Sequence, residues 1–307
     1  MTKPDILHHT ADQKHGSVER AARYLGFGRR ALVTLPTDAR GTMEPRTLAD
    51  ALSGRCGPFI LVLNAGDLNV GACDPFTELI PMAHEAGAWV HVDGAFGLFA
   101  RASRHHRHRV AGVELADSWV TDAHKWLNVP FDCGIAIVRD RDAHRAAMTL
   151  SASYLAPPSS ARDPIDWTPE WSRRARGIPV YAALKELGRQ GVEAVVDRSC
   201  AHCATLVAGI GALPGAEVVH PATLNQGLVR FRREGNTPEQ DDAWTDTVIQ
   251  QVNATGEAFF SGTTWRGQRA MRVSVVNWRT SAQDVERAIA AVLAVLRGAP
   301  GPGGQVV

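Results

Sequence analysis

The chain has little cysteine, no long apolar run and no surplus of charge, and each shortage closes a class of function. Five cysteines among 307 residues are too few for a disulfide-stapled extracellular scaffold. The opening residues carry no secretion signal, so a reducing cytoplasm is the expected compartment. Apolar stretches are interrupted by Gly, Asp or Arg well before the roughly 20 residues that a membrane-spanning helix needs. Thirty-three basic residues face thirty-two acidic ones, which leaves no overall field toward nucleic acid or an anionic membrane. Neither is an expected partner. What is present is ordinary for a folded protein, 45% hydrophobic and 21% charged residues, and the length suits about two domains.

Two local patterns invite a metal, and neither supports one. Cys200 and Cys203 have CxxC spacing, which can bind metal or cycle redox electrons, but no second pair completes a zinc site. The surrounding segment reads as a helix carrying Val195, Val196 and Leu206, so two half-buried helix thiols are expected. His105, His106 and His108 alternate with Arg104, Arg107 and Arg109. Guanidinium groups oppose a bound cation, so this stretch reads as a solvated basic loop. No metal is expected.

From Ser17 to about Val138 short β-rich segments alternate with helical ones, the pattern of a mainly parallel α/β sheet with crossover helices. Strands are predicted at Ala31–Leu35, Phe59–Asn64, Trp89–Asp93, Ser118–Thr121 and Gly134–Val138. Helices are predicted at Thr47–Leu52, with Thr47 as cap, and at Pro75–Glu85, with Asp74 as cap and Pro75 at the first position. Pro157, Pro158, Pro164 and Pro169 mark a surface loop between Ser151 and Pro169. Helix resumes at Thr168–Arg176 and Pro179–Gly188, and a long helix from Gly191 bridges to a second unit. That unit reads as α+β, with strands at Glu217–His220, Leu228–Arg232, Ala258–Gly262 and Met271–Val275 and helices near Glu239–Val252 and Ala282–Leu296. The Gly- and Pro-rich tail reads as disordered.

The segment DSWVTDAHKWLNVPFDCG places Lys125 just past a strand, where ligands sit in open α/β sheets. An exposed lysine is the ordinary reading of such a position. Upstream, WVHVDGAFG ends a β-rich run on Asp93, which would ordinarily cap the next turn, and small residues follow it. Near the start, TADQKHGSVERAARYLGFG carries His15 beside Ser17. Together these three segments, in this order, resemble the group II pyridoxal-phosphate-dependent amino-acid decarboxylases, the family of the glutamate and aromatic amino-acid decarboxylases.

The resemblance implies an aspartate-aminotransferase-like fold, fold type I among pyridoxal-phosphate enzymes. That fold has a mainly parallel, seven-stranded-type sheet with helices on both faces and a smaller C-terminal α+β domain. Residues 1–190 would form the cofactor-binding domain, lacking the family's usual N-terminal portion; 191–298 would form the small domain and 299–307 the tail. Lys125 would hold pyridoxal 5'-phosphate as a Schiff base, Asp93 would face the pyridinium nitrogen, and His15 would stack on the ring. Ala95 would pack beneath it, His124 would lie in the phosphate or ring environment, and Asp122 and Asp67 would stand at polar positions of the site. The resemblance also extends over NAGDLNVGACDP, WSRRARGIPVYAALKELG and RVSVVNWRT, where Arg176, Arg272 and Asn277 read as structural. The implied activity is decarboxylation of an aromatic or acidic L-amino acid to amine and carbon dioxide by a homodimer. The alternative is a truncated, non-catalytic relative that binds a partner chain or nothing.

By position Tyr154 matches the mobile-loop tyrosine that protonates the substrate α-carbon; it reads equally as a loop anchor. Tyr154→Phe is expected to divert the product away from the amine, and product analysis showing unchanged amine would sink that role.

Overall fold

The computed structural model describes residues 7–53, 57–150 and 162–298. Tyr154 therefore lies outside the described residues. The larger unit is built on a six-stranded sheet in the order β2-β1-β3-β4-β5-β6. Its strands are β1 (Leu7–Ala11), β2 (Leu32–Leu35), β3 (Phe59–Asn64), β4 (Ala88–Asp93), β5 (Ser118–Asp122) and β6 (Gly134–Val138). Neighbours pair in parallel through β5, and β6 closes the edge antiparallel. The expected α/β architecture is present, with six strands among the described residues where the resemblance implied a seven-stranded type. Burial explains the centre. Phe59, Leu61, Val62 and Leu63 of β3 are all buried, as a strand covered on both faces requires.

β1 was absent from the sequence expectation, because LHHTA lacks an apolar alternation. Its place is central: β2 pairs on one side and β3 on the other, so the strand order reverses there. Ligands of open α/β sheets bind outside the carboxyl ends of strands at such a switch point.

The helices depart from their predicted caps. α1 (Gly16–Tyr24) is capped by His15, whose Nδ1 accepts the Ser17 N–H. α2 spans Pro45–Leu52 with Glu44 before it and no side-chain cap, so Thr47 lies inside the helix. α3 spans Phe76–Glu85 and Pro75 takes the cap position. The Asp74 carboxylate is engaged elsewhere: it accepts the N–H of Met43 at 2.9 Å and of Asn64 at 2.7 Å. α4 spans Arg141–Met148 and is capped by Asp140. The predicted helix at 168–176 is not formed. Pro169 disfavours helical backbone at Thr168, and Arg174 and Arg176 instead reach back to the 131–132 loop.

α5 runs from Gly177 to Gly211 with one break, Gly188 at φ 59° and ψ −173°. Past the break, Val192, Val195, Val196, Ser199, Cys200, Cys203, Leu206, Val207 and Ile210 are buried, a helical stripe that bridges the two units. The thiols of Cys200 and Cys203 are thus fully buried rather than half-buried, and burial pushes Cys200 up to about 12. The smaller unit is an antiparallel sheet, β7 (Ala216–Thr223), β8 (Gln226–Phe231), β9 (Ser261–Trp265) and β10 (Gln268–Ser274), in the order β7-β8-β10-β9. It packs on α6 (Pro238–Ala254) and α7 (Ala282–Leu296), and capping boxes at Thr237/Gln240 and Ser281/Asp284 start both helices. β9 begins later than the predicted Ala258–Gly262.

The two units share a core of Val70, Ala72, Leu228, Trp265 and Ala270. Gly41 admits the Trp265 ring, since a Cβ there would lie 2.9 Å from it, and a Cβ on Gly71 would lie 2.2 Å from the Thr223 carbonyl oxygen. Arg266 donates to the carbonyl oxygens of Thr37 and Asp38. Packing and hydrogen bonds thus join the two units along this seam. Asp74→Asn would leave either the Met43 or the Asn64 N–H facing an amide N–H, and a loss of about 1–3 kcal/mol is expected. Urea unfolding checks this; an unchanged midpoint would refute it.

Candidate active site

Three parallel strands end on polar residues: Asn64 on β3, Asp93 on β4 and, two residues further along, Asp122 on β5. In register, Asn64 lies beside Asp93, and Asp93 beside Val120. Past β5 the chain turns, with the Lys125 N–H donating to the Asp122 carbonyl oxygen at 3.1 Å. The Lys125 Nζ returns to lie 3.1 Å from the Asp122 carboxylate and 5.7 Å from the Phe96 ring centroid. Phe96 stands edge-on to the buried Trp126, with ring centroids 5.9 Å apart. Gly66 permits this floor, because a Cβ there would come within 2.8 Å of the Phe96 ring.

These side chains line a continuous cleft. One cavity of about 260 Å³ is walled by His15, Asn64, Asp67, Asp93, Ala95, Phe96, Asp122 and Lys125, among others. A second of about 550 Å³ shares His15, Leu68, Phe96 and Lys125 and extends to the smaller unit at Asn225, Gln226, Ser261, Thr263, Arg272 and Ser274. The structure thus brings Lys125, Asp93, His15, Ala95, Asp122 and Asp67 together. Asp93 is half-buried, and one oxygen accepts the Ala95 N–H at 3.2 Å. The turn-capping role read from the sequence and a place in the cleft therefore coexist. His91 lies two residues back on the same strand face, its Nδ1 2.8 Å from Ser118 Oγ. Burial pushes its imidazole down, and the Asp93 charge opposes that shift.

Asp67 is buried and organises its loop, accepting the N–H groups of Asn69, Val70 and Ala72. Burial raises its carboxyl above the usual range against those three hydrogen bonds. His124 is not among the residues lining either cavity. Its Nδ1 lies 3.1 Å from both the Cys133 N and the Cys133 carbonyl oxygen, and its Nε2 lies 3.8 Å from the Asp122 carboxylate. The ring packs on Phe131 at 4.2 Å. Arg176 anchors this loop from the start of α5 with two 3.0 Å hydrogen bonds to the Asp132 carboxylate, and those hydrogen bonds hold that carboxyl below the usual range. Arg272 donates to the Leu68 carbonyl oxygen at 2.9 Å and to Ser261 at 3.2 Å, so it ties the two units across the cleft. The expected structural role of Arg176 and Arg272 matches these contacts.

Asn64, Asn225 and Gln226 were missed in the sequence. Asn64 carried a signal, since it closes the apolar run FILVL as Asp93 closes AWVHV. Its Nδ2 is buried and has no hydrogen-bond partner among the described residues, so the wall offers a donor to whatever fills the cavity. An amine, a carboxylate and a spare amide donor in one cleft, with an aromatic floor, fit the pyridoxal ring that the sequence resemblance implies. No cluster of His, Cys, Asp or Glu suited to a metal occurs among the described residues, and no helix there is long and apolar enough to cross a membrane.

The profile of the pyridoxal-dependent decarboxylase conserved domain matches residues 3–234. L-2,4-diaminobutyrate decarboxylase of Rhizobium meliloti (strain 1021) is 28% identical over 294 residues, 92% of this chain and 58% of that one. Aromatic-L-amino-acid decarboxylase of Bacillus atrophaeus is 28% identical over 291 residues, 90% of this chain and 59% of the other. Among solved structures, Oryza sativa TDC with PLP and tryptamine superposes with a TM-score of 0.87 at 25% identity, covering 95% of this chain and 63% of that one. Rhodiola rosea 4-hydroxyphenylacetaldehyde synthase shares the fold at a TM-score of 0.84 and 23% identity, over 97% of this chain and 63% of that one. The chain spans a little under three-fifths of the length of the first two relatives.

Proposed function

The chain belongs to the pyridoxal-dependent decarboxylase family, and from that membership we propose that it removes the carboxylate of an L-amino acid as carbon dioxide, with pyridoxal 5'-phosphate as cofactor and an amine as product. The observation that carries this reading is the convergence of Lys125 and Asp93 on one cleft at the carboxyl ends of β4 and β5. When bound, the cofactor supplies a conjugated, protonated ring that accepts the electron pair left behind by the departing carboxylate.

The protein's part is to hold, orient and move protons. Lys125 is the group that would hold the cofactor aldehyde. Asp122, 3.1 Å from the Lys125 Nζ, keeps that amine at the cleft. The Asp93 carboxylate would keep a proton on the ring nitrogen, and the Asn64 amide would donate to a ring substituent. His15, fixed as the cap of α1, would lie over one face of the ring, with Ala95 on the cleft wall. A substrate fixed with its carboxylate perpendicular to the ring loses that bond in preference to others, so orientation selects the reaction. Tyr154 would return a proton to the α-carbon. An aromatic or acidic substrate, a second copy of the chain and a cytoplasmic setting complete the proposal.

Addition of pyridoxal phosphate is expected to yield a visible absorbance band, and borohydride reduction followed by mass mapping should place the adduct on Lys125. Lys125→Ala is expected to abolish both. Label scattered over other lysines would favour the alternative, a body that keeps the fold without the chemistry. Asp93→Asn is expected to leave the Lys125 adduct in place while lowering carbon dioxide release by about a hundredfold or more; undiminished release would remove Asp93 from its role.

A further inference from the structure

A groove of about 610 Å³ lies on the other side of β5 from the cleft. Val120 and Asp122 of that strand line the smaller cleft cavity, whereas Thr121 between them lines the groove, as the alternation of side chains along a strand requires. Its apolar lining is Leu98, Phe99, Leu127, Ile135, Ile137 and Leu184. Leu127 is buried, but Ile137 is 44% and Leu184 45% exposed. β6, which carries both isoleucines, pairs only with β5 among the described residues.

Three arginines and no carboxylate complete the lining: Arg101, Arg107 and Arg189. The break in α5 puts the last of them there. Leu184 and Arg189 would stand about 140° apart on an unbroken helix, and the non-helical Gly188 between them, at φ 59°, lets both face one groove. The carboxylates further along α5 are committed elsewhere. Glu193 faces Arg104 at 3.7 Å, and Asp197 accepts from Ser103 and lies 4.0 Å from His106. Arg101 meets Glu114 at 3.8 Å, a loose pair with both side chains more than half exposed. Arg107 and Arg189 are left without an ion pair among the described residues.

We propose that this groove binds a small anion with an apolar body, an aryl or short-chain alkyl carboxylate, whose body packs between Leu127, Ile137 and Leu184 and whose charged end meets Arg107 and Arg189. The site is separate from the cleft and does not depend on the decarboxylase reading. Its volume lies within the usual range of small-molecule pockets. Guanidinium groups bind a carboxylate through charge-assisted hydrogen bonds, and the same unpaired charges repel a cation. Contiguous exposed apolar surface rimmed by polar groups is the mark of a binding surface. Leu127 lies two residues past Lys125 and Phe99 three past Phe96, so an occupant rests against the back of the segments that carry the cleft's amine and its floor.

Calorimetric titration of 4-phenylbutyrate and of 4-phenylbutan-1-ol, which has the same body without the charge, tests this. The carboxylate is expected to bind at least about tenfold more tightly than the alcohol. Arg189→Gln should bring the two affinities together by weakening the carboxylate alone. Leu184→Glu, at a half-exposed position, should abolish carboxylate binding while leaving the circular dichroism spectrum unchanged. Equal affinities in the unaltered chain, or no binding of the carboxylate, would overturn the site. Carboxylate binding undiminished in both variants would place the ligand elsewhere and overturn it as well. So would sedimentation showing a dimer of the unaltered chain that Leu184→Glu dissociates, because a second copy would then occupy the groove.

Discussion

Register between three parallel strands decides where the chemistry of this chain sits. Asn64 pairs beside Asp93, and Asp93 pairs with Val120, two residues before Asp122. Because side chains alternate between faces, a slip of one residue would turn Asp93 to the opposite face of the sheet. The register is held by burial, since β3 offers almost nothing but apolar side chains to its surroundings, and by Asp74, which ties Asn64 to Met43 across the loop. A carboxylate that a sequence reading spends on a helix cap thus serves the strand that carries the site.

The second constraint is the seam between the units. Trp265 enters the space left by Gly41, and Arg266, at the positive φ of a tight hairpin turn, reaches the loop after β2. Arg272 and Thr263 bind Leu68 and Asn69 from the other side. The wall carrying Asn225 and Gln226 is thereby held against the wall carrying Lys125 by packing and by hydrogen bonds that leave few polar groups over.

Much of this was legible in the sequence. The apolar runs gave β3 and β6 to the residue, and Ala282–Leu296 was legible as a helix because its capping residue and apolar stripe agree. Lys125, Asp93 and His15 could be picked out because their surroundings repeat a family pattern, and they do converge. What escaped was set by tertiary contact. β1 has two histidines and no apolar alternation, yet two parallel neighbours recruit it. The segment after Thr168 has helical composition, but Arg174 and Arg176 fix it as a strap on the 131–132 loop. β9 was displaced because its boundary is set by the turn at Arg266 and Gly267, both with positive φ, which only pairing with β10 imposes. Asn225 and Gln226 look like any polar pair before a strand until burial removes their oxygens from water.

Helix α5 contributes Val195, Val196 and Cys200 to the core of the larger unit, and Cys203, Leu206, Val207 and Ile210 to that of the smaller. One rod therefore belongs to two interiors. Loosening either interior would withdraw a wall from the other, so a core substitution in one unit is transmitted to the cleft face of its neighbour through a single helix.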